Sequence, residues 1–432
     1  MDLLITLALV VALFALLGSG IWIGLALLGV AWVGMEVFTL RPAGDSMAVT
    51  IWGASSSWTL TALPMFLWMG EILFRTKLSE DMFKGLAPWL EKLPGRLLHV
   101  NVIGCSIFAA VSGSSAATCA TIGKITIPEL KKRGYPDAIV IGSLAGAGTL
   151  GLLIPPSIIM IVYGVAADVS IAKLFIAGVI PGILLAGLFM GYIVVWALLN
   201  RHGIPPAERT YSFVEKLHAS RHLIPVVLLI ALVLGSIYLG VATATEAAAL
   251  GVVGSLILAA LQGSLDRRSF HDSLMGATRL YCMIALILAG SSFLTLAMGY
   301  IGLPRHLAEW IGGLGLSQFG LLFGLMLFYI VLGCFLDGIS MVVLTIAVIQ
   351  PTIQTAGIDP VWFGIFLVLV VEMAQVTPPV GFNLFVLQGM TGRQITWLAK
   401  TALPFFLLMM FAVWLVWLAP DLVNWLPRQM IG

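Results

Sequence analysis

Apolar residues run along the chain in long blocks, at about 3–39, 47–74, 97–122, 138–167, 172–200, 222–240, 242–262, 279–300, 317–336, 339–356, 361–390 and 397–426. Most are close to the roughly 20 residues that a helix needs to cross the hydrocarbon core of a bilayer. The pattern predicts an all-α polytopic membrane protein. The first block is too long for one upright helix, so it is either strongly tilted or broken near Gly18-Ser19-Gly20. Polar connectors are expected at 75–96, 201–221 and 263–278. Within the first of these, Leu78, Met82, Phe83, Leu86, Trp89, Leu90 and Leu93 recur at helical spacing among charged residues. That amphipathicity suits a helix lying in the interface. A shorter segment, Leu303-Pro304-Arg305-His306-Leu307-Ala308-Glu309-Trp310, is its expected counterpart on the opposite face. Trp89, Trp310, Trp397 and Trp425 stand near segment ends, where they read as interfacial anchors.

Composition agrees with the pattern. Of the 432 residues 60% are apolar and only 10% charged, against about 25% charged in soluble domains. The net charge of +2 gives no reason to expect a nucleic-acid partner. Cys105, Cys119, Cys282 and Cys334 are far apart in apolar sequence, and the six histidines form no HExxH or similar pair. No transition-metal centre is expected. Met1-Asp2 leads straight into Leu3-Leu4-Ile5 without a basic stretch, which reads as a first membrane segment and not as a removed signal.

The placement of cations sets the topology. With the 75–96 connector in the cytoplasm and residues 97–135 forming a re-entrant hairpin, the 201–221 and 263–278 connectors and Arg393 also fall inside. Eighteen Lys and Arg are then cytoplasmic. Only Arg41, Lys173, Arg305 and Arg428, four of the 22, lie outside.

Helix breakers repeat along the chain. Pro128, Gly134 and Pro155-Pro156 in one stretch match Pro351, Gly357 and Pro378-Pro379 in another, with 27 residues from the first proline to the start of the pair in both. Lys131-Lys132-Arg133 follows the first hairpin, while 350–359 carries no cation. The two repeats are therefore inverted, each with one re-entrant hairpin, as in secondary transporters that bind solute at midplane. The hairpin tips fall at Ser112-Gly113-Ser114-Ser115 and Asp337-Gly338-Ile339-Ser340. Second breaks follow at Ile154-Pro155-Pro156-Ser157 and Thr377-Pro378-Pro379-Val380. A Pro-Pro pair frees carbonyls of the preceding turn, and irregular backbone at membrane depth is tolerated only where protein or a cavity covers it. Carbonyls and hydroxyls are hard ligands suited to Na⁺, while helix N-termini favour an anion.

Ionisable residues in apolar sequence are candidates for function. Glu246, Glu372 and Asp337 are the clearest, whereas Glu36, Glu71 and Asp168 lie near segment ends. Glu246 reads equally as a structural carboxylate holding local hydrogen bonds. In the small-residue run of 142–151, the residues before Gly148 point to close helix packing.

Ser112-Gly-Ser-Ser-Ala-Ala-Thr118, Gly148-Thr-Leu-Gly-Leu-Leu-Ile-Pro-Pro-Ser157, Ser170-Ile-Ala-Lys-Leu-Phe-Ile-Ala-Gly-Val-Ile-Pro-Gly182, Thr245-Glu-Ala-Ala-Ala249 and Thr377-Pro-Pro-Val-Gly-Phe382 resemble motifs of the large membrane subunit of tripartite ATP-independent periplasmic (TRAP) transporters. Ala244 departs from them, since proline is expected before Thr245. The resemblance implies an elevator: a scaffold and a moving transport domain in a bacterial inner (cytoplasmic) membrane. The expected division is scaffold helices and an interfacial arm over 1–96, a first transport repeat over 97–200, central scaffold helices and a second arm over 201–316, a second transport repeat over 317–392, and a C-terminal helix over 393–432. By the same resemblance one Na⁺ would bind at Ser112 and Ser115 with carbonyls of Gly151, Ile154 and Pro156. A second would bind near Gly333, Ala374, Thr377 and Val380. Ser114, Ser157, Asp337, Ser340 and Asn383 are the expected substrate-binding residues. A periplasmic binding protein would deliver the solute, and a small four-helix membrane subunit, as a separate chain, would complete the scaffold.

The expected function is Na⁺-coupled import of a small organic anion, a carboxylate such as a C4-dicarboxylate or an acidic sugar. The alternative is a stand-alone dicarboxylate/sodium symporter. An intramembrane enzyme is disfavoured because no histidine, lysine or second aspartate matches Ser115 or Asp337 in depth. The absence of a GxxxxGK[ST] loop disfavours a primary pump.

Overall fold

The computed structural model describes residues 2–206, 211–302, 306, 313, 317–334, 336–378 and 381–430. They form helices without strands among the described residues. The first apolar block is broken: α1 (Asp2–Gly18) and α2 (Ile23–Phe38) flank a turn in which Gly20 takes φ +84°. The second block also divides, into α3 (Ala43–Ser55), a 3₁₀ turn (Trp58–Thr61) and α4 (Ala62–Phe74). The expected interfacial helix is α5 (Leu78–Leu90), with Leu78, Met82, Leu86 and Leu90 buried along one stripe. Its expected counterpart at 303–312 lies outside the described residues, His306 excepted.

The first hairpin is α6 (His99–Ser112) and α7 (Ser115–Lys132), followed by α8 (Asp137–Thr149), an irregular stretch and α9 (Ile158–Ala166). Helix α10 (Ile171–Leu199) crosses back. The short α11 (Phe213–Ser220) meets α12 (Ile224–Tyr238) at a 56° bend, and α13 (Ala244–Leu261) follows. Next comes α14 (Arg267–Ile301), which corrects the sequence reading of 263–278 as a connector. Its 35 residues span about 52 Å at 1.5 Å per residue, well beyond the ~30 Å core. Its charged first turns are therefore helix projecting past the bilayer.

The second hairpin is α15 (Gln318–Leu332) and α16 (Gly338–Thr355), followed by α17 (Pro360–Ala374), a break and α18 (Phe382–Thr391). The element order of α6–α9 is thus repeated in α15–α18. The last apolar block divides at Ala419-Pro420 into α19 (Ile395–Leu418) and α20 (Asp421–Arg428), so the single C-terminal helix expected there is two.

Packing sorts these elements. Helix α14 runs along α2 and α4, and α4 also packs on α13. In the other group α8 packs against α7 and α19, and α17 against α16 and α19. Gly142 and Gly146 let α8 lie against α19; a Cβ there would sit 2.3 Å from the Thr401 carbonyl oxygen and 2.5 Å from Phe405 Cβ. The small residues from Gly142 to Gly146 are accordingly a packing feature. Asp137 takes both Lys131 (3.3 Å) and Arg393 (2.7 Å), tying the first repeat to the turn that follows the second.

Candidate functional site

The first hairpin turns at Gly113, whose φ of +62° is a conformation that glycine alone adopts freely. The Ser114 side chain caps α7 by accepting from the Ala117 amide. The Gly113 carbonyl accepts from the Ile158 amide at 3.2 Å, so the tip rests on the first residue of α9. A Cβ on Gly113 would lie 2.8 Å from the Pro156 carbonyl oxygen. One on Gly151 would lie 2.5 Å from the Ser114 carbonyl oxygen and 2.8 Å from Thr118 Oγ1. Ser112 Oγ stands 2.8 Å from that same Thr118 Oγ1. Ser112, Ser115, Thr118 and Ser157 are all buried. The tip and the first break thus gather neutral hydroxyl and carbonyl oxygens around two glycines. That donor set fits an alkali cation better than a transition metal.

Among the expected ligands, Ser112, Ser115, Gly151 and Pro156 come together here, with Ser114 and Ser157 beside them. Ile154 lies in the same stretch with its side chain against Gly182 of α10. Gly178 brings α10 within 2.8 Å of the Leu153 carbonyl, measured from a built Cβ. That accounts for the glycines of the 170–182 motif. Thr118 was not among the expected ligands; its signal was its place one helical turn after Ser114.

The second candidate site pairs the end of α15 with the second break. Helix α17 ends at Ala374 and the Asn383 amide donates to the Gln375 carbonyl across the break (3.1 Å). Gly333, at the end of α15, faces Ala374 so closely that a Cβ would lie 2.2 Å from the Ala374 Cβ. Cys334 Sγ donates to the Pro378 carbonyl at 3.2 Å. Thr377 Oγ1 is used locally, donating to the Met373 carbonyl. Gly333, Ala374 and Thr377 therefore share one neighbourhood. Val380 lies outside the described residues.

Asp337 caps α16: its carboxylate accepts the amides of Ile339 (3.1 Å) and Ser340 (3.4 Å) and the Ser340 hydroxyl. Asp337 and Ser340 thus hold each other at the second tip. Gly338 meets Ile159 of α9 and Gln375 of the second break, each within 3.4 Å of a built Cβ. The N-termini of α7, α9 and α16 therefore converge, and the break that leads into α18 adjoins them. Asp337 already occupies the α16 terminus with a negative charge. The α7 and α9 termini carry neutral serine caps, and α18 has no side-chain cap at all. In the first turn of α18, Asn383 is fully buried, and neither Oδ1 nor Nδ2 has a partner among the described residues.

Glu372 is fully buried at the end of α17 beside the Leu153 amide of the first break, with no hydrogen bond of ordinary geometry to either oxygen among the described residues. Glu246 behaves differently. It is exposed and closes a capping box with Thr243, accepting from the Thr243 amide and hydroxyl at 2.8 Å each. A cap explains this carboxylate, and the helix begins cleanly at Ala244 without the expected proline. Glu246→Ala should lower thermal stability modestly while leaving transport within about two-fold; a complete loss of uptake by a folded variant would return Glu246 to the transport path.

Comparison with known proteins follows the same outline. Residues 10–422 match the family model described as tripartite ATP-independent periplasmic transporter, DctM component. The chain is 33% identical over 386 residues to the C4-dicarboxylate TRAP transporter large permease protein DctM of Pseudomonas aeruginosa, covering 88% of this chain and 90% of that one. It is 32% identical over 404 residues to the isethionate TRAP transporter permease protein DctMQ of Oleidesulfovibrio alaskensis, covering 92% of this chain and 62% of that one. Among solved structures, the YdaH transporter of Alcanivorax borkumensis superposes with a TM-score of 0.63 at 13% identity over 90% of both chains, a likeness of fold.

Proposed function

The chain belongs to the tripartite ATP-independent periplasmic transporter family as a DctM component, a large permease spanning the bacterial inner membrane many times, and from that premise we propose that it imports a small carboxylate together with Na⁺. The observation that carries this reading is the convergence of both hairpin tips and both helix breaks on one region, buried at the first tip and partly exposed at the second break. The neutral oxygen cluster at the first tip suits Na⁺, and helix N-termini with Asn383, unpartnered among the described residues, suit an anion. Na⁺ enters as a transported ion. Each net charge moved inward gains about 2.3 kcal/mol per 100 mV.

Ser112, Ser115, Gly151, Ile154 and Pro156 would form one Na⁺ site, with Thr118 added. Gly333, Ala374, Thr377 and Val380 would form the other. Ser114, Ser157, Ser340 and Asn383 would meet the substrate, with Asp337 fixing Ser340. A periplasmic binding protein and a separate small membrane subunit would complete the machine. The lower coverage of the DctMQ relative, 62% of its length, leaves room there for an additional subunit in the same chain.

The motion would be an elevator. Scaffold contacts support a lowered transport unit. A Cβ on Gly70 of α4 would lie 3.2 Å from the Ser112 carbonyl oxygen, so the first tip rests against this helix. Gly70 is five residues, about 7.5 Å, from Arg75 at the cytoplasmic end. The Ser291 hydroxyl of α14 donates to the Val343 carbonyl of α16 at 2.6 Å. With the second tip about 8 Å below Val343, both tips lie toward the cytoplasm.

The test is uptake of labelled carboxylates into proteoliposomes, with and without the small subunit and a cognate binding protein. Uptake that requires all three proteins and inward-directed Na⁺ is expected. Uptake by the permease alone would favour a stand-alone symporter, and uptake indifferent to both Na⁺ and membrane potential would end the coupling proposal.

A further inference from the structure

The short helix α11 buries none of its residues. Phe213, Val214 and Leu217 share one side of it and are each more than 60% exposed, so that apolar side has no protein cover. At its end the chain bends by 56° into the membrane helix α12. Helix α11 thus lies well off the axis of a spanning helix, as an amphipathic helix in the bilayer interface does. Trp89 of α5 holds it there, meeting the Phe213 ring edge-on at 6.2 Å and donating its indole N–H to the Ser220 hydroxyl at 2.9 Å. The distribution of cations puts both of these connectors on the cytoplasmic side.

Between α5 and α11 runs an open groove of about 620 Å³. Phe83, Ala87 and Pro88 of α5 and Val214 of α11 give it apolar walls, and Lys84 and His218 line the same space. The other charged groups at its walls are already engaged. Arg133 forks onto Glu129 at 3.0 and 2.7 Å, Glu215 accepts the Ser212 amide at 2.8 Å, and His222 meets Asp81 at 3.2 Å. Lys84 is 62% exposed and no closer than 4.0 Å to Glu80. Lys216, over the Trp89 ring at 5.5 Å, and the exposed Arg221 have no carboxylate partner among the described residues. The groove reaches His222, in the turn that starts α12. From there α12 exposes Ile224, Val227, Leu228 and Leu232, one stripe at helical spacing.

We propose that this groove seats the headgroup of one anionic phospholipid of the cytoplasmic leaflet. Lys84 and His218 would meet the headgroup, Lys216 and Arg221 would add positive charge around it, and the acyl chains would lie along the exposed sides of α11 and α12. Basic clusters just cytoplasmic of a membrane helix attract anionic lipid. A free phosphate would use the same cations but gain nothing from the exposed apolar sides. Helix α5 packs on both helices of the first hairpin, so the lipid braces the arm against which that hairpin rests. The site requires only that the chain spans a bilayer, and it stands apart from Na⁺ coupling and from the identity of the solute.

The experiment is photolabelling of the assembled transporter in vesicles, with adducts mapped by peptide mass spectrometry. The probes are phosphatidylglycerol and phosphatidylcholine, each with a diazirine near the carboxyl end of one chain. Adducts at Val214, Leu217 and Ile224 are expected, at least ten-fold stronger from phosphatidylglycerol. Lys84→Gln with Arg221→Gln should lower that labelling about twenty- to thirty-fold, as two cations worth roughly 1 kcal/mol each near a lipid surface would. Phosphatidylcholine labelling should be unaltered. Arg267→Gln with Arg268→Gln, at the start of α14 and outside the groove, should leave the adducts unchanged. Equal labelling by the two wild-type probes, or an equal loss in the α14 variant, would overturn headgroup recognition. Adducts confined to other outward residues such as Val253 and Leu407, or appearing at Val214 only without the small subunit, would overturn the site. Displacement of the probe by millimolar inorganic phosphate would give the groove to a soluble anion and overturn the lipid.

Discussion

Gly151→Ala should abolish solute uptake, with a fall of at least about 100-fold, as when a preorganised site is displaced by about 1 Å. The added methyl carbon would stand 2.5 Å from the Ser114 carbonyl oxygen and 2.8 Å from Thr118 Oγ1. Neither neighbour is the free end of a flexible chain. One is backbone at a hairpin tip, and the other is a hydroxyl held at 2.8 Å by Ser112. Relief requires the tip to move away from the first break, which separates the oxygens proposed to share a Na⁺. The variant should therefore also lose whatever thermal stabilisation Na⁺ gives the wild type. Gly187→Ala is the matched comparison, a glycine on α10 with nothing within 4 Å of its built Cβ, and it should transport normally. Normal Na⁺-driven uptake by Gly151→Ala would remove the first cation site from the proposal.

The glycines and prolines that make this site vulnerable also made it legible. A Pro-Pro pair in apolar sequence cannot continue a regular helix, and two such pairs at matched spacing mark both breaks in the sequence itself. Residue partners were harder to see. Thr118 belongs to the first oxygen cluster because α7 starts where it does and brings Thr118 back toward Ser112, a contact that spacing alone does not specify. Glu246 reads equally as a transport charge and as a structural carboxylate because hydropathy cannot distinguish the first turn of a helix, where a carboxylate caps, from its middle. The 263–278 stretch reads as a connector because its charges mark the edge of an apolar block, whereas α14 begins at Arg267 and carries those charges on its first turns. Asn383 is expected from the resemblance, but its lack of a partner among the described residues is a property of the packed structure.

That lack makes Asn383→Leu a variant in which function and stability should move in opposite directions. In the empty protein a buried amide with both polar atoms unpaired costs about 1–3 kcal/mol per group. Leucine has a similar shape and nothing to desolvate, so the substrate-free variant should be more resistant to heat than the wild type. A bound carboxylate would lose a hydrogen bond to a charged group worth about 1.5–3 kcal/mol. The apparent KM for solute should then rise about ten- to a hundred-fold. Stabilisation by Na⁺ should persist, because neither oxygen cluster includes this side chain. If Asn383 instead serves only to hold the second break, the same substitution should lower thermal stability and weaken Na⁺ binding along with solute. Measuring melting temperature with and without Na⁺, beside the KM, separates the two. A destabilised Asn383→Leu with unchanged KM would take Asn383 out of the substrate site and leave α18 to act through its uncapped backbone alone.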